Sequence, residues 1–153
     1  MMWLCRAGQK SQFFDKFISE NRVYLAWEGY ATDLRTLENR EQFRNLVAKE
    51  KGVDNRTSIS NWSGQLFNMA NDMEVGDYVV IPDINKREYV LARVVGDYEY
   101  VNDSALHHSR KIEIVKEHIS RDIFSQPVLY ALGAYRTICK IKPEKEFLKE
   151  LEV

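Results

Sequence analysis

The side chains with the most chemistry to offer in this chain are aromatic. Asn61-Trp62-Ser63-Gly64-Gln65-Leu66 places an indole near the start of a predicted helix, and Gly76-Asp77-Tyr78-Val79-Val80 then turns into a β-branched strand. An indole at the mouth of a pocket can stack on a planar ligand. Such stacking contributes about 1–3 kcal/mol per nucleic-acid base and helps offset the few kcal/mol needed to swing a base out of a duplex. The same ring also suits a plainer role. Ile59, Trp62, Leu66 and Met69 recur at helical spacing, the pattern of a core-facing stripe.

Trp27 ends a predicted strand and precedes Glu28-Gly29-Tyr30 and then Asp33. That position suits a pocket wall, and the Asp33 carboxylate could accept a hydrogen bond from an exocyclic amine. Asp33 equally suits the cap of a turn. Tyr98 and Tyr100 flank Glu99, so strand alternation sends both rings to one face, as a lid or as packing. Ser60 and Asn61 carry groups that can read a base edge or cap a helix. His107, His108, Arg110 and Lys111 form the densest polar-basic cluster. They read as a lip over a phosphate, with Arg6, Lys86, Arg87 and Arg93 as further contributors, or as a solvated loop. Adjacent histidines are poorly spaced for a metal, so no metal site and no cofactor is expected.

Catalytic patterns are missing. There is no phosphate-cradling glycine loop, no Gly-x-Ser-x-Gly elbow and no zinc spacing. A restriction-type nuclease needs an acidic residue two positions before a lysine, and none of the eleven lysines has one. A binding module rather than an enzyme is expected.

The elements that must position these residues follow from periodicity. Trp3–Arg6 reads as a strand ended by Gly8. Ser11 offers an N-cap to a helix carrying Phe13, Phe14, Phe17 and Ile18, which runs to Asn21. Val23–Trp27 is a second strand. Asn39 and Gly52 bracket a helix whose apolar face is Phe43, Leu46 and Val47, and a third helix spans Ser58–Met69. A hairpin turn at Asp83–Arg87 joins two strands, the second continuing past Gly96 as a bulged extension through Val101. Ile112, Ile114 and Val115 mark another strand. A short helical turn holds Pro127, and Tyr135–Lys140 closes the pattern. The layout is α+β, with a curled, barrel-like sheet flanked by helices.

The length of 153 residues fits one domain, assigned to residues 1–142, with residues 143–153 as a charged C-terminal helix or the start of a linker. A net charge of −1, from 22 Lys+Arg against 23 Asp+Glu, excludes a general polyanion binder, so any nucleic-acid contact must use a local rim and a pocket. Cys5 and Cys139 sit in apolar strand-like contexts, favouring reduced thiols. No apolar run has a membrane span's length and the start lacks a signal sequence, so the expected compartment is the cytoplasm, with no membrane contact.

Several segments recur together in one order: Trp3…Arg6-Ala7-Gly8, Trp27…Asp33-Leu34, the Asn61 segment, Gly96-Asp97-Tyr98-Glu99-Tyr100 and Leu129-Tyr130-Ala131-Leu132-Gly133-Ala134. Over Trp3–Ile141 this order resembles the N-terminal domain of Mrr-like, modification-dependent restriction endonucleases, which is an EVE/PUA-like domain related to YTH readers. The resemblance implies a partner in DNA carrying a modified base, methylated by expectation, flipped into an aromatic slot. It implies walls at Trp27 and Trp62, edge contacts at Asp33 and Asn61, a lid at Tyr98 or Tyr100, and phosphate contacts at His108, Arg110 and Lys111. A nuclease or other effector would act alongside, as in a restriction or defence system. A reader of modified RNA is the alternative; a domain for protein or small-molecule contact, its aromatics all core, is a third.

Overall fold

Alternation along the strands puts one apolar set on each face of the sheet, so both faces need cover. In the computed structural model, which describes residues 1–102 and 104–152, helices supply that cover on both sides. Strands β1 (Met2–Cys5), β2 (Arg22–Tyr24), β3 (Tyr78–Asp83), β4 (Glu88–Tyr100), β5 (His108–Ser120) and β6 (Ile138–Lys140) form one mixed sheet in the order β2-β5-β4-β3-β1-β6. Strand β1 runs parallel to β3, and the remaining pairs are antiparallel.

Trp3, Cys5, Val79, Ile81, Val90, Ala92 and Val94 point to one face. There they meet Phe17 of α1 (Phe14–Glu20), Phe43, Leu46 and Val47 of α2 (Arg40–Lys51), and Leu66 of α3 (Arg56–Phe67). Met2, Leu4, Val80, Tyr89 and Leu91 point to the other. Val128 and Leu132 of α4 (Gln126–Leu132) and Phe147 and Leu151 of α5 (Glu144–Leu151) cover them. Two cores, one on each face, account for the unbroken burial of β1.

The architecture is thus α+β, but the sheet stays open. Edge strands β2 and β6 do not pair with each other, so the expected barrel does not close. Both faces are already packed: α1, α2 and α3 fill the side a barrel would close around, and α4 and α5 build a second core on the other. Curvature is concentrated instead in the β4–β5 ribbon, whose register shifts between Val94 and Tyr98 and twice near Leu91. The predicted tail contributes a helix with Phe147 fully buried; its last residue, Val153, lies outside the described residues.

Local signals are read as expected at α2. The Asn39 side chain accepts from the Gln42 N–H, and Gly52 takes the left-handed conformation at the helix end. Ser11 behaves differently. Its hydroxyl donates to Pro82 O and accepts from Ile84 N–H, stitching the chain to the β3–β4 hairpin, while α1 starts only at Phe14. The glycine of Arg6-Ala7-Gly8 is required sterically: at φ +81°, a Cβ there would lie 2.7 Å from the Phe13 ring. The third helix begins at Arg56 with Asn55 as its cap, so Ser60 and Asn61 lie inside the helix and do not cap it.

Candidate functional site

Trp27 emerges just past β2, where the chain leaves the sheet, and Trp62 reaches it from α3. The two ring centroids are 4.6 Å apart and tilted by 41°. The two predicted walls therefore meet. They also touch each other, whereas a base inserted between them would require about 7 Å, two contact distances of ~3.5 Å. Both rings are half-buried at the edge of the larger core, so each is partly packing and partly surface. The Lys51 ammonium lies 3.5 Å from the Trp62 ring centroid, a cation–π contact, and partial burial there lowers its pKa.

Distant segments meet around this pair. The Trp27 indole N–H donates to Thr137 Oγ1 at 2.9 Å, and the Arg6 guanidinium donates to Ala134 O at 2.5 Å. The Arg6 N–H donates to Thr137 O. Gln65, one turn past Asn61, links helix to sheet: its amide nitrogen donates to Asn61 Oδ1 while its Oε1 accepts from the Ile138 N–H. Asn61 itself is exposed.

Tyr30 was not singled out by type or spacing, yet it is the most unusual residue here. Its ring is 5.5 Å from that of Trp27, it is 3% exposed, and its φ of 54° lies in the left-handed region. Its hydroxyl is the one buried side-chain polar atom without a hydrogen-bond partner among the described residues. Burial, with the Glu50 charge nearby, raises its pKa to about 12. Backbone strain and an orphaned buried polar group cost free energy, and such features concentrate at functional sites. Only a positive φ marks it, and sequence does not report that for a tyrosine.

Tyr98 and His108 back this group from inside. His108 is fully buried, and burial lowers its pKa to about 4, so the ring is neutral at pH 7. Since a carbonyl can only accept, His108 Nε2–H donates to Tyr30 O at 2.9 Å. Nδ1 is then the acceptor, and the Tyr98 hydroxyl donates to it at 2.6 Å. That hydroxyl in turn accepts from the Leu34 N–H, and burial raises the Tyr98 pKa. Tyr98 therefore serves as a buried strut for the Tyr30 backbone. Tyr100 does share its face, half-buried and stacked on His107 at 5.1 Å.

The predicted basic lip does not assemble. His108 is interior, and Arg110 is 3% exposed with its guanidinium donating to Gly96 O, Met69 O and Met73 O. The latter two carbonyls belong to a π-helical turn (Asn68–Asp72) and the residue after it, so Arg110 staples that turn to the β4 bulge. Lys111, its neighbour on the strand, is exposed and lies 3.8 Å from Glu99. Strand alternation sends the two adjacent cations to opposite faces of the sheet, and here the face that takes Arg110 is covered while the one that takes Lys111 is open to solvent. Asp33 caps a 3-10 turn, and both its oxygens accept from Arg35, whose guanidinium holds the carboxyl below its usual range. Lys86 and Arg87 sit at the β3–β4 hairpin, and Arg93 donates to the Tyr78 hydroxyl.

Among the described residues, no group of three or more His, Cys, Asp or Glu is placed to hold a metal ion. No helix among them is long and apolar enough to cross a membrane. Cys5 and Cys139, on neighbouring strands, are free thiols, and burial pushes that of Cys5 up.

Fold and site together define an α+β domain with an open six-stranded mixed sheet and an aromatic cluster at the junction of its distant segments. The chain belongs to the family described as Domain of unknown function (DUF8426), whose model matches residues 2–138. No curated protein and no solved structure matches the chain.

Proposed function

We propose that this domain reads a modified base, methylated by expectation, in DNA, as the specificity module of a restriction or defence system. The finer architecture assigned with it is EVE/PUA-like. The observation that carries the reading is convergence. Arg6, Trp27, the Asn61 segment, Thr137 and the strut from Tyr98 through His108 to Tyr30 come from segments up to 128 residues apart in a bonded pair, and they gather at one aromatic cluster. Tyr30 beside Trp27, with a left-handed φ and a buried hydroxyl that lacks a hydrogen-bond partner, supports the same location.

In this reading the base stacks on Trp62 after Lys51 leaves its ring face, or enters between the two indoles after they part. Released, the Lys51 ammonium is free to meet a phosphate. Binding at such a cluster needs no chemical step, and we assign the chain no catalysis.

Fluorescence anisotropy tests the reading with a panel of duplexes matched in sequence and differing only in base modification, and with single-stranded DNA and RNA of the same sequences. The expected result is tighter binding to one modified DNA, lost in Trp62→Ala. Equal affinity for all members removes the reader assignment. A preference confined to modified RNA transfers it to the alternative substrate.

A further inference from the structure

A groove of about 1060 Å³ lies between α4, the loop leading to β6, and the start of α5, and neither indole of the Trp27–Trp62 pair lines it. Its walls are mainly apolar, including Leu129 and Cys139, yet two tyrosines stand over it almost naked. Tyr130 is 88% exposed and Tyr135 is 100% exposed. Neither ring makes an aromatic, cation–π or side-chain hydrogen-bond contact among the described residues. Most tyrosines in this chain are otherwise engaged. Tyr24, Tyr30, Tyr89 and Tyr98 are buried, and Tyr78 and Tyr100 pack against Arg93 and His107. Leaving two large rings in water beside an apolar groove is the mark of a surface that something covers.

Charge indicates what covers it. Lys140 and Lys142 line the groove and Arg136 follows Tyr135 directly. All three are exposed and none forms an ion pair among the described residues, but the Lys140 ammonium lies 5.6 Å from the Trp3 ring on the other face of the sheet, which leaves Arg136 and Lys142 as the unpaired cations. Glu146 is the single carboxylate of the lining. Free aromatics interleaved with unpaired cations suit a polynucleotide strand, whose bases stack while its phosphates meet the cations. Tyrosine is common to protein and nucleic-acid interfaces, but lysine is depleted from protein–protein interface cores, which favours nucleic acid here.

Position supports the same occupant. The loop that carries Tyr135 also accepts the Arg6 guanidinium at Ala134 O and the Trp27 indole at Thr137 Oγ1. One side of this short loop is therefore groove wall, and the other is bonded to the indole site.

Resting on the reader assignment above, we infer that this groove is a second nucleic-acid site. It holds the single-stranded segment flanking the read base, with Tyr130 and Tyr135 as stacking platforms and Arg136 and Lys142 as phosphate contacts. The groove grips strand without regard to modification, while the indole pair discriminates.

The test uses the full chain and a fluorescein-labelled oligothymidylate that carries no modified base. Tyr130→Ala with Tyr135→Ala is expected to weaken binding roughly tenfold or more, since each stacked base contributes several-fold to about a hundredfold. Phenylalanine at both positions should restore it. Arg136→Gln with Lys142→Gln should flatten the log–log salt dependence by about 1.4, at ~0.7 per phosphate of a single strand. Because these side chains are exposed, all variants should retain the wild-type denaturation midpoint. Trp62→Ala should erase any preference for modified DNA.

The groove assignment is overturned if oligothymidylate binds wild type and the tyrosine variant alike, or binds neither. It is also overturned if sedimentation shows a wild-type dimer that the tyrosine variant dissociates without any change in oligothymidylate affinity, which would make a second copy the occupant. Tyrosine-dependent strand binding without modification preference would retain the groove and remove the reader. Modification preference without tyrosine dependence would do the reverse.

Discussion

Replacing Trp62 with alanine separates packing from recognition, because the ring packs against the core yet remains partly exposed. Deleting a fully buried aromatic costs about 3–5 kcal/mol. Trp62 is only partly covered, but its loss also removes the ring contact with Trp27, worth ~0.5–1.5 kcal/mol, and the Lys51 contact, worth ~0.5–1 kcal/mol at a half-exposed site. The expected total is therefore about 2–3 kcal/mol, below the full-burial range. With a urea slope of about 1–3 kcal/mol per molar, the midpoint should fall by roughly 1–2 M while the protein remains folded in buffer. Stacking worth ~1–3 kcal/mol should disappear from modified-base affinity over and above that, a loss of several-fold to about a hundredfold. Both quantities are to be measured on the same preparation, by urea denaturation followed by fluorescence and by anisotropy on the modified duplex. Trp62→Phe should recover most of both. A loss of 4 kcal/mol or more, with affinity reduced only as far as the folded fraction, would make Trp62 a core residue. The slot would then rest on Trp27 alone. A folded variant with undiminished modified-base affinity would refute the stacking role outright.

Three further outcomes are expected. His108, neutral and fully buried, has its pKa lowered by burial from 6.5 to about 4. Its contribution is complete above about pH 6.5 and is lost as pH falls toward 4, in all on the order of 3 kcal/mol. Asp33 has its pKa lowered below the ordinary carboxylate value by Arg35, so its loss comes at lower pH. Urea midpoints between pH 7 and 4.5 should therefore fall in wild type and flatten in His108→Gln. Arg110→Met removes the donor from three carbonyls, those of Gly96, Met69 and Met73. It should cost about 3 kcal/mol or more, whereas a solvated phosphate ligand would cost almost nothing; chemical denaturation decides between them. Highly purified protein incubated with modified plasmid and Mg²⁺ or Mn²⁺ should leave it uncut, and metal-dependent cleavage that survives purification would overturn the binding-only assignment.

What sequence could and could not reveal here has a physical pattern. Local, short-range chemistry was legible: the Asn39 cap and Gly52 end of α2, the hairpin after Asp83 and the bulge past Gly96 each depend on a few neighbouring residues. Trp27 and Trp62 were legible as candidate aromatics, but their mutual contact depends on how deeply α3 settles against the sheet, which no spacing encodes. The basic cluster failed for a sharper reason. In a strand, adjacent side chains alternate, so His108 and Arg110 had to share one face and Lys111 take the other. Charge argued that Arg110 should face water, and the expected lip followed that argument. Three carbonyls exposed by a π-helical turn and the bulge offered the guanidinium an interior solution, and the π-helical turn is announced by nothing in the sequence. Barrel closure failed similarly, since Phe147 and Leu151 looked like a weak tail stripe until α4 provided the partner that makes them a second core. The two bare tyrosines are the converse case: Leu129-Tyr130-Ala131-Leu132 suggests a buried helix, yet α4 turns Val128 and Leu132 inward and leaves Tyr130 over the groove. In each instance the residue type was visible, and its partner, brought from elsewhere in the chain, decided which way it served.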